Sequence, residues 1–171
     1  MEKSNPIIGF WRTIAECGMS LYSDMIKDGN PVECVPMATV FTPDQMEFIK
    51  QEFKPKQKQC FRNCSELVGL LTHPYGKILL GFDGAEYVDG YVYEPGLFPI
   101  EHAFVKIGDR YIDPTFELVL GIDVTKCSYM SLLELKWAKL WPILKHRGFY
   151  GPLYQWNKEN RLQGKKRKNN G

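Results

Sequence analysis

The chain opens with a helical rhythm. Ile7, Phe10, Trp11, Ile14, Cys17 and Leu21 recur at three- and four-residue spacing, and Tyr22, Met25 and Ile26 continue the stripe. This predicts an amphipathic helix over residues 7–27 with a break near Gly18. Asp28-Gly29-Asn30-Pro31 stops it, and a loop follows to Phe41. Thr42-Pro43-Asp44-Gln45 then reads as an N-cap, a proline at the first helical position and a capping-box glutamine, opening a helix that runs to about Phe53. Lys54-Pro55-Lys56 breaks it. Cys60, Cys64, Leu67, Val68 and Leu71 form the buried stripe of the next helix, which His73-Pro74-Tyr75-Gly76 ends.

From Lys77 the period shortens. Ile78–Phe82, Tyr87–Tyr93, His102–Ile107 and Arg110–Phe116 are runs rich in β-branched and aromatic residues, separated by Gly, Asp and Pro. They predict four strands of an antiparallel sheet. Residues from Ser128 to about Lys145 read as helix again, carrying Leu132, Leu133, Leu135, Trp137, Leu140 and Trp141 before Pro142 disturbs it. No internal repeat is visible. Helices, then a sheet, then a helix make an α+β fold, with helices packed against a small antiparallel sheet.

Composition adds limits. A chain of 171 residues with 44% hydrophobic, 13% aromatic and 25% charged residues has room for one core, and is neither collagen-like, coiled-coil nor wholly disordered. One domain is expected over residues 1–157. Of the 22 basic and 20 acidic residues, six and one respectively lie from Lys158 onward, so the body carries −3 and the tail +5. The segment 158–171, with Lys165-Lys166-Arg167-Lys168, reads as a basic disordered tail, the one part suited to a nucleic-acid phosphate backbone. Five cysteines without a CxxC pair fit a reducing, cytoplasmic setting. The N-terminal segment lacks a signal-peptide pattern and no apolar run has membrane-spanning length, so no membrane partner is expected.

Chemistry concentrates in two places. Cys60 stands where a helix should begin, next to Lys58 and Arg62, and the unpaired amides and positive end of a helix favour a thiolate there. The plainer alternative makes Cys60 and Cys64 small hydrophobes on the stripe with Leu67 and Leu71. The second place is Glu101-His102-Ala103-Phe104 followed by Tyr111-Ile112-Asp113-Pro114-Thr115. A hairpin turning at Gly108-Asp109, with Gly108 taking the positive φ of a type II′ turn, sets Asp113 opposite Phe104. His102, Phe104, Lys106, Tyr111 and Asp113 then share a face, while Ala103, Val105, Ile107 and Ile112 suit a core. His102 and Asp113 become diagonal neighbours about 7–8 Å apart at the backbone, within reach of each other's side chains. A surface pair capping the hairpin would need no cysteine. A base oriented by a carboxylate and set against a cysteine at a helix start is instead the arrangement of nucleophilic thiol catalysis.

These segments resemble the core of the transglutaminase-like superfamily of papain-type folds: Cys60 at a helix start, Gly90-Tyr91 in a strand, His102-Ala103-Phe104, and Asp113-Pro114-Thr115 across a tight turn. The resemblance spans residues 57–116. It implies a papain-like core with Cys60 as nucleophile, His102 as general base and acid, and Asp113 as the orienting group. It further implies an amide- or acyl-bond enzyme, a peptidase, amidase, deamidase or acyltransferase, taking a protein, peptide or amide substrate without cofactor or metal. Phe104 replaces the tryptophan frequent in that family. No side chain stands out as an oxyanion donor; the backbone amide of Cys60 with Gln57 or Gln59 is the candidate set. Cys60, Phe61 and Asn63 also resemble the cysteine segment of arylamine N-acetyltransferases, which are longer. A third reading keeps the fold without turnover, as a protein-binding module.

Other features rank lower. Cys60, Cys64 and His73 lack a second ligand pair at zinc-finger spacing. Tyr87, Tyr91 and Tyr93 with Glu94, and Phe104 beside them, are candidate substrate-groove residues, with cross-strand packing the competing role. His146 reads as a residue of a helix C-terminus that complements the dipole.

Overall fold

The computed structural model describes residues 5–81 and 84–160. The N-terminal stripe folds as two helices, α1 (Pro6–Glu16) and α2 (Ser20–Asp28), split at the predicted break. Asn5 caps α1 by accepting from the Ile7 amide, with Pro6 at the first position. The presumed loop contains β1 (Asn30–Val32) and a single 3-10 turn at Met37–Thr39. Helix α3 (Pro43–Glu52) has both halves of the capping box: the Thr42 hydroxyl accepts from the Gln45 amide and Gln45 Oε1 accepts from the Thr42 amide. Helix α4 (Cys60–Thr72) begins at the cysteine, and Cys64, Leu67, Val68 and Leu71 are its buried stripe.

Several expectations fail. The run expected as a strand over Ile78–Phe82 is helical: α5 (Pro74–Leu80) starts with His73 Nδ1 accepting from the Tyr75 amide and Pro74 at the first position, and ends at Gly81. Cap and proline signals outweigh a short apolar run; Phe82 lies outside the described residues. The stretch expected as one helix from Ser128 is instead a strand, β5 (Ser128–Lys136), and only Trp137–Arg147 is helix, α6, with Pro142 inside it. β5 pairs with a strand on each side, and two ladders of backbone hydrogen bonds override the helical preference of its leucines.

The sheet has five antiparallel strands in the order β1-β5-β2-β3-β4, the remaining members being β2 (Ala85–Tyr93), β3 (Ile100–Ile107) and β4 (Arg110–Ile112). The hairpin register is the expected one: Val105 faces Ile112, Lys106 faces Tyr111 and Ile107 faces Arg110. Gly108 turns it with φ of 62°. The strand expected to reach Phe116 stops at Ile112, and a π-turn occupies Phe116–Leu120.

Both faces of the sheet are covered. On one, Tyr87, Ala103 and Val105 pack under α3, α4 and α6 with Ile49, Leu67 and Leu140. On the other, Val88, Val92, Phe104 and Tyr129 pack with Cys34, Phe116 and Val124. The hairpin face bearing His102 and Asp113, expected to carry the polar residues opposite a core-suited face, therefore lies under the segment that follows Asp113. A third cluster joins α1 and α2 to the sheet through Ile7, Trp11, Met25, Tyr91, Met130 and Tyr154. Residues 154–160 form a closing helix, α7, tied to α2 by Lys158 Nζ to Asp24 at 2.7 Å and Tyr154 Oη to Asp28 at 2.5 Å. The expected disordered tail is thus helical at 158–160; its remainder, 161–171, lies outside the described residues. Among the described residues no helix is long and apolar enough to cross a membrane.

Candidate active site

Cys60 is half-buried at the first position of α4. The chain reaches it through Lys58, whose φ of 61° is the one positive value at a non-glycine among the described residues. Such a backbone costs energy for a residue with a Cβ, and a side chain one turn into α4 holds it in place. Asn63, buried, accepts from the Lys56 amide at 2.9 Å and donates to the Lys56 carbonyl at 2.8 Å and to Thr115 Oγ1 at 3.1 Å. One amide group thus joins the approach to the cysteine, the first turn of its helix, and the Asp-Pro-Thr segment. The N-cap Gln59 contributes no side-chain hydrogen bond to the first turn, so its amides stay available at the thiol end of the helix. One turn further, Cys64 Sγ donates to the Ala103 carbonyl at 3.1 Å and pins α4 to β3 next to His102.

His102 (2% exposed) and Asp113 (0%) are both buried. His102 Nε2 lies 2.7 Å from Asp113 Oδ2; a carboxylate only accepts, so Nε2 carries the hydrogen and Nδ1 is left for the opposite side of the ring. The Cys60 side chain stands close enough to the imidazole to act on its charge. Burial opposes the imidazolium, but the Asp113 charge and hydrogen bond, with Cys60 adding to them, push the His102 pKa up to about 10. The ring of Phe116 packs against the imidazole with centroids 4.7 Å apart.

Asp113 accepts four hydrogen bonds. The amides of Thr115 and Phe116 reach Oδ1 at 3.1 and 3.0 Å, while His102 and the Tyr129 hydroxyl, at 3.0 Å, reach Oδ2. The first two explain why β4 ends where it does: the carboxylate caps the turn that follows instead of continuing a ladder. Burial and the Asp113 charge raise the Tyr129 pKa, so its hydroxyl remains a donor.

The structure therefore brings Cys60, His102 and Asp113 together. The other sequence candidates separate. Gln57 is exposed, whereas Gln59 Oε1 is buried with no hydrogen-bond partner; a side-chain amide turned about its last bond would present Nε2 at that point. Phe104, proposed as a substrate contact, is fully buried against Tyr111 and Tyr129. Tyr91 packs edge-on against Trp11 and Tyr93 leans on the same cluster, and Tyr87 is buried. These aromatics are packing rather than a groove. His73 sits at the far end of α4, about 20 Å from Cys60 at 1.5 Å per residue, and His146 lies in the basic last turn of α6.

Tyr129 escaped the sequence reading because it sat in a stretch read as helix; its pairing in the sheet with Val92 on β2 and Val32 on β1 places it by Asp113. Asn63 was visible in the cysteine segment, but nothing local revealed its reach to Thr115.

No protein-family model matches this chain. Neither a curated protein nor a solved structure matches it significantly.

Proposed function

We propose that this protein is a thiol enzyme acting on an amide or other acyl bond, with the transglutaminase-like, papain-type arrangement that its Cys60, His102 and Asp113 segments resemble. The observation that carries the reading is the buried His102–Asp113 pair with the Cys60 side chain, at the start of a helix, near enough to act on the imidazole. A protonated imidazole beside the sulfur supports a thiolate–imidazolium pair. The thiolate attacks the carbonyl carbon, forming the C–S bond and moving the π electrons onto oxygen. The developing oxyanion sits near the first amides of α4 and the Gln59 side chain. Collapse breaks the C–N bond as His102 delivers its Nδ1 proton to the leaving amine. The neutral imidazole then takes a proton from water or a second amine, which attacks the thioester and restores the thiol pair. Asp113 keeps Nε2 protonated and the ring facing Cys60 throughout.

The reading is tested by iodoacetamide labelling at pH 7 under reducing conditions, followed by peptide mass spectrometry. Exposed Cys17 serves as the internal control, because Cys64 is buried and would be slow for steric reasons alone. Cys60 is expected to label at least about tenfold faster than Cys17 and to lose that advantage in His102→Ala. Equal labelling of the two cysteines, unmoved by His102→Ala, refutes the catalytic reading and leaves a non-catalytic module.

A further inference from the structure

Two cysteines that the proposed chemistry does not use lie together at one edge of the sheet. Cys34 follows the edge strand β1 and Cys127 precedes β5, its neighbour. The two strands pair in a regular antiparallel register, Asn30 with Ser131, Pro31 with Met130 and Val32 with Tyr129. Continued two residues past the end of the ladder, that register sets Cys34 opposite Cys127. Alternation puts Val32, Cys34, Cys127 and Tyr129 on one side of the sheet, and all four pack into the cluster that holds Val88 and Phe104. Cys34 also bridges to Tyr111 on β4. Cys127 stays close enough to Cys34 for its charge to act on that thiol, and both act on the Tyr129 hydroxyl. Directly opposed residues of an antiparallel pair have Cα atoms about 4.5–5.5 Å apart, inside the range of about 4.4–6.8 Å that a disulfide spans.

Both thiols are free, Cys34 buried and Cys127 half-buried. Burial pushes both up, Cys127 to about 11, so neither is a fast oxidant sensor. Proximity is what the fold supplies: once Cys127 has exchanged, the second sulfur is already beside it. We propose that Cys34 and Cys127 are a reversible disulfide site, closed by exchange with a small-molecule disulfide such as oxidised glutathione, which staples β1 to β5 beside the tyrosine that donates to Asp113. The Cys127 thiolate attacks one sulfur of the reagent, forming a mixed disulfide and expelling one glutathione thiolate. The Cys34 thiolate then attacks the Cys127 sulfur, forming the Cys34–Cys127 bond and expelling the second. The two protons lost by the protein end on the two released thiolates, and two electrons pass from the protein to the reagent. The bond ties down a three-residue edge strand and closes the long stretch of chain between β1 and β5, which restricts the unfolded state. It does not depend on Cys60 being a nucleophile.

The test incubates the full chain with oxidised glutathione at about pH 8.5 for several hours, blocks remaining thiols with N-ethylmaleimide and maps unreduced peptides by mass spectrometry. The expected product joins Cys34 to Cys127, is preceded in time by glutathione on Cys127, raises the thermal midpoint by about 5–15 °C and is reversed by dithiothreitol. Cys127→Ala, a change at a half-buried position, should abolish that rise under the same treatment, and Cys34→Ala should leave glutathione trapped on Cys127. If Cys34 stays free while exposed Cys17 is modified, the two sulfurs do not meet and the proposal is refuted. A link from Cys127 to any other cysteine also refutes it. So does a Cys34–Cys127 link that forms only in urea, or one that leaves the wild-type midpoint no higher than that of treated Cys127→Ala, because the native fold then does not build the site.

Discussion

Replacing Asp113 by asparagine (Asp113→Asn) isolates what holds the buried imidazolium. The substitution keeps the shape of the side chain and keeps an oxygen for the Thr115 and Phe116 amides. It puts an NH2 where Oδ2 accepted from His102 and Tyr129, so two donors confront a third and the counter-charge is gone. With a His102 pKa of about 10 in the folded state against an ordinary value near 6.5, the pair contributes about 4 kcal/mol at pH 7, at about 1.4 kcal/mol per pKa unit. Breaking a buried ion pair by removing one partner costs about 3–5 kcal/mol, which agrees in size. The sign follows from the raised pKa: the contribution is complete below about pH 6.5 and is lost as pH climbs through about 10. Urea unfolding of both proteins with reductant present, between pH 6.5 and 10, is the assay. The wild type should exceed Asp113→Asn by about 3–5 kcal/mol at pH 6.5, and the gap should narrow steadily toward pH 10. A gap of constant size across that range, or none at pH 6.5, would show that His102 is not held charged by Asp113, and the electrostatic account of the site would be wrong.

Three further substitutions test how the site is built. Lys58→Gly relieves the positive φ before Cys60 and should raise stability by about 0.5–1 kcal/mol, the left-handed penalty being partly offset by the greater entropy of unfolded glycine; a lower thermal midpoint contradicts the strain. Asn63→Ala strips the Lys56 amide and carbonyl and Thr115 of their shared partner, costing about 2–4 kcal/mol in chemical denaturation, and should slow Cys60 alkylation in the surviving folded protein. Gly90→Ala would set a Cβ 1.9 Å from the Met130 carbonyl oxygen at the bulge where β2 shifts register against β5. Backbone cannot yield there as a side chain would, so a loss of about 3 kcal/mol or more in folding stability is expected, and near-neutral behaviour would place the bulge elsewhere.

The parts of the structure that could be read from the sequence are those decided within a few residues. The capping box at Thr42, the helix start at Cys60 and the turn at Gly108 depend on local chemistry, and the turn alone sets the register that puts His102 beside Asp113. The misreadings share the opposite property. Ser128–Lys136 carries leucines that suit a helix, and it becomes a strand because β1 and β2 lie ready on its two sides; the run from Ile78 reads as a strand, yet Ile78–Leu80 belongs to the helix that His73 and Pro74 start in front of it. The candidate site divides along the same line. Cys60, His102 and Asp113 come from segments whose local structure is self-determined, whereas Tyr129 and the Asn63–Thr115 link depend on elements distant in sequence. The burial of His102 is the deepest case. Alternation on the hairpin places it on a polar face, yet the residues after Asp113 fold back over that face because Asp113 caps their first turn with Oδ1 while it holds His102 with Oδ2. The same carboxylate therefore turns the chain that covers the imidazole and supplies the charge that makes its burial tolerable, so orientation and desolvation of the base arise from one residue and are expected to fail together when it is changed.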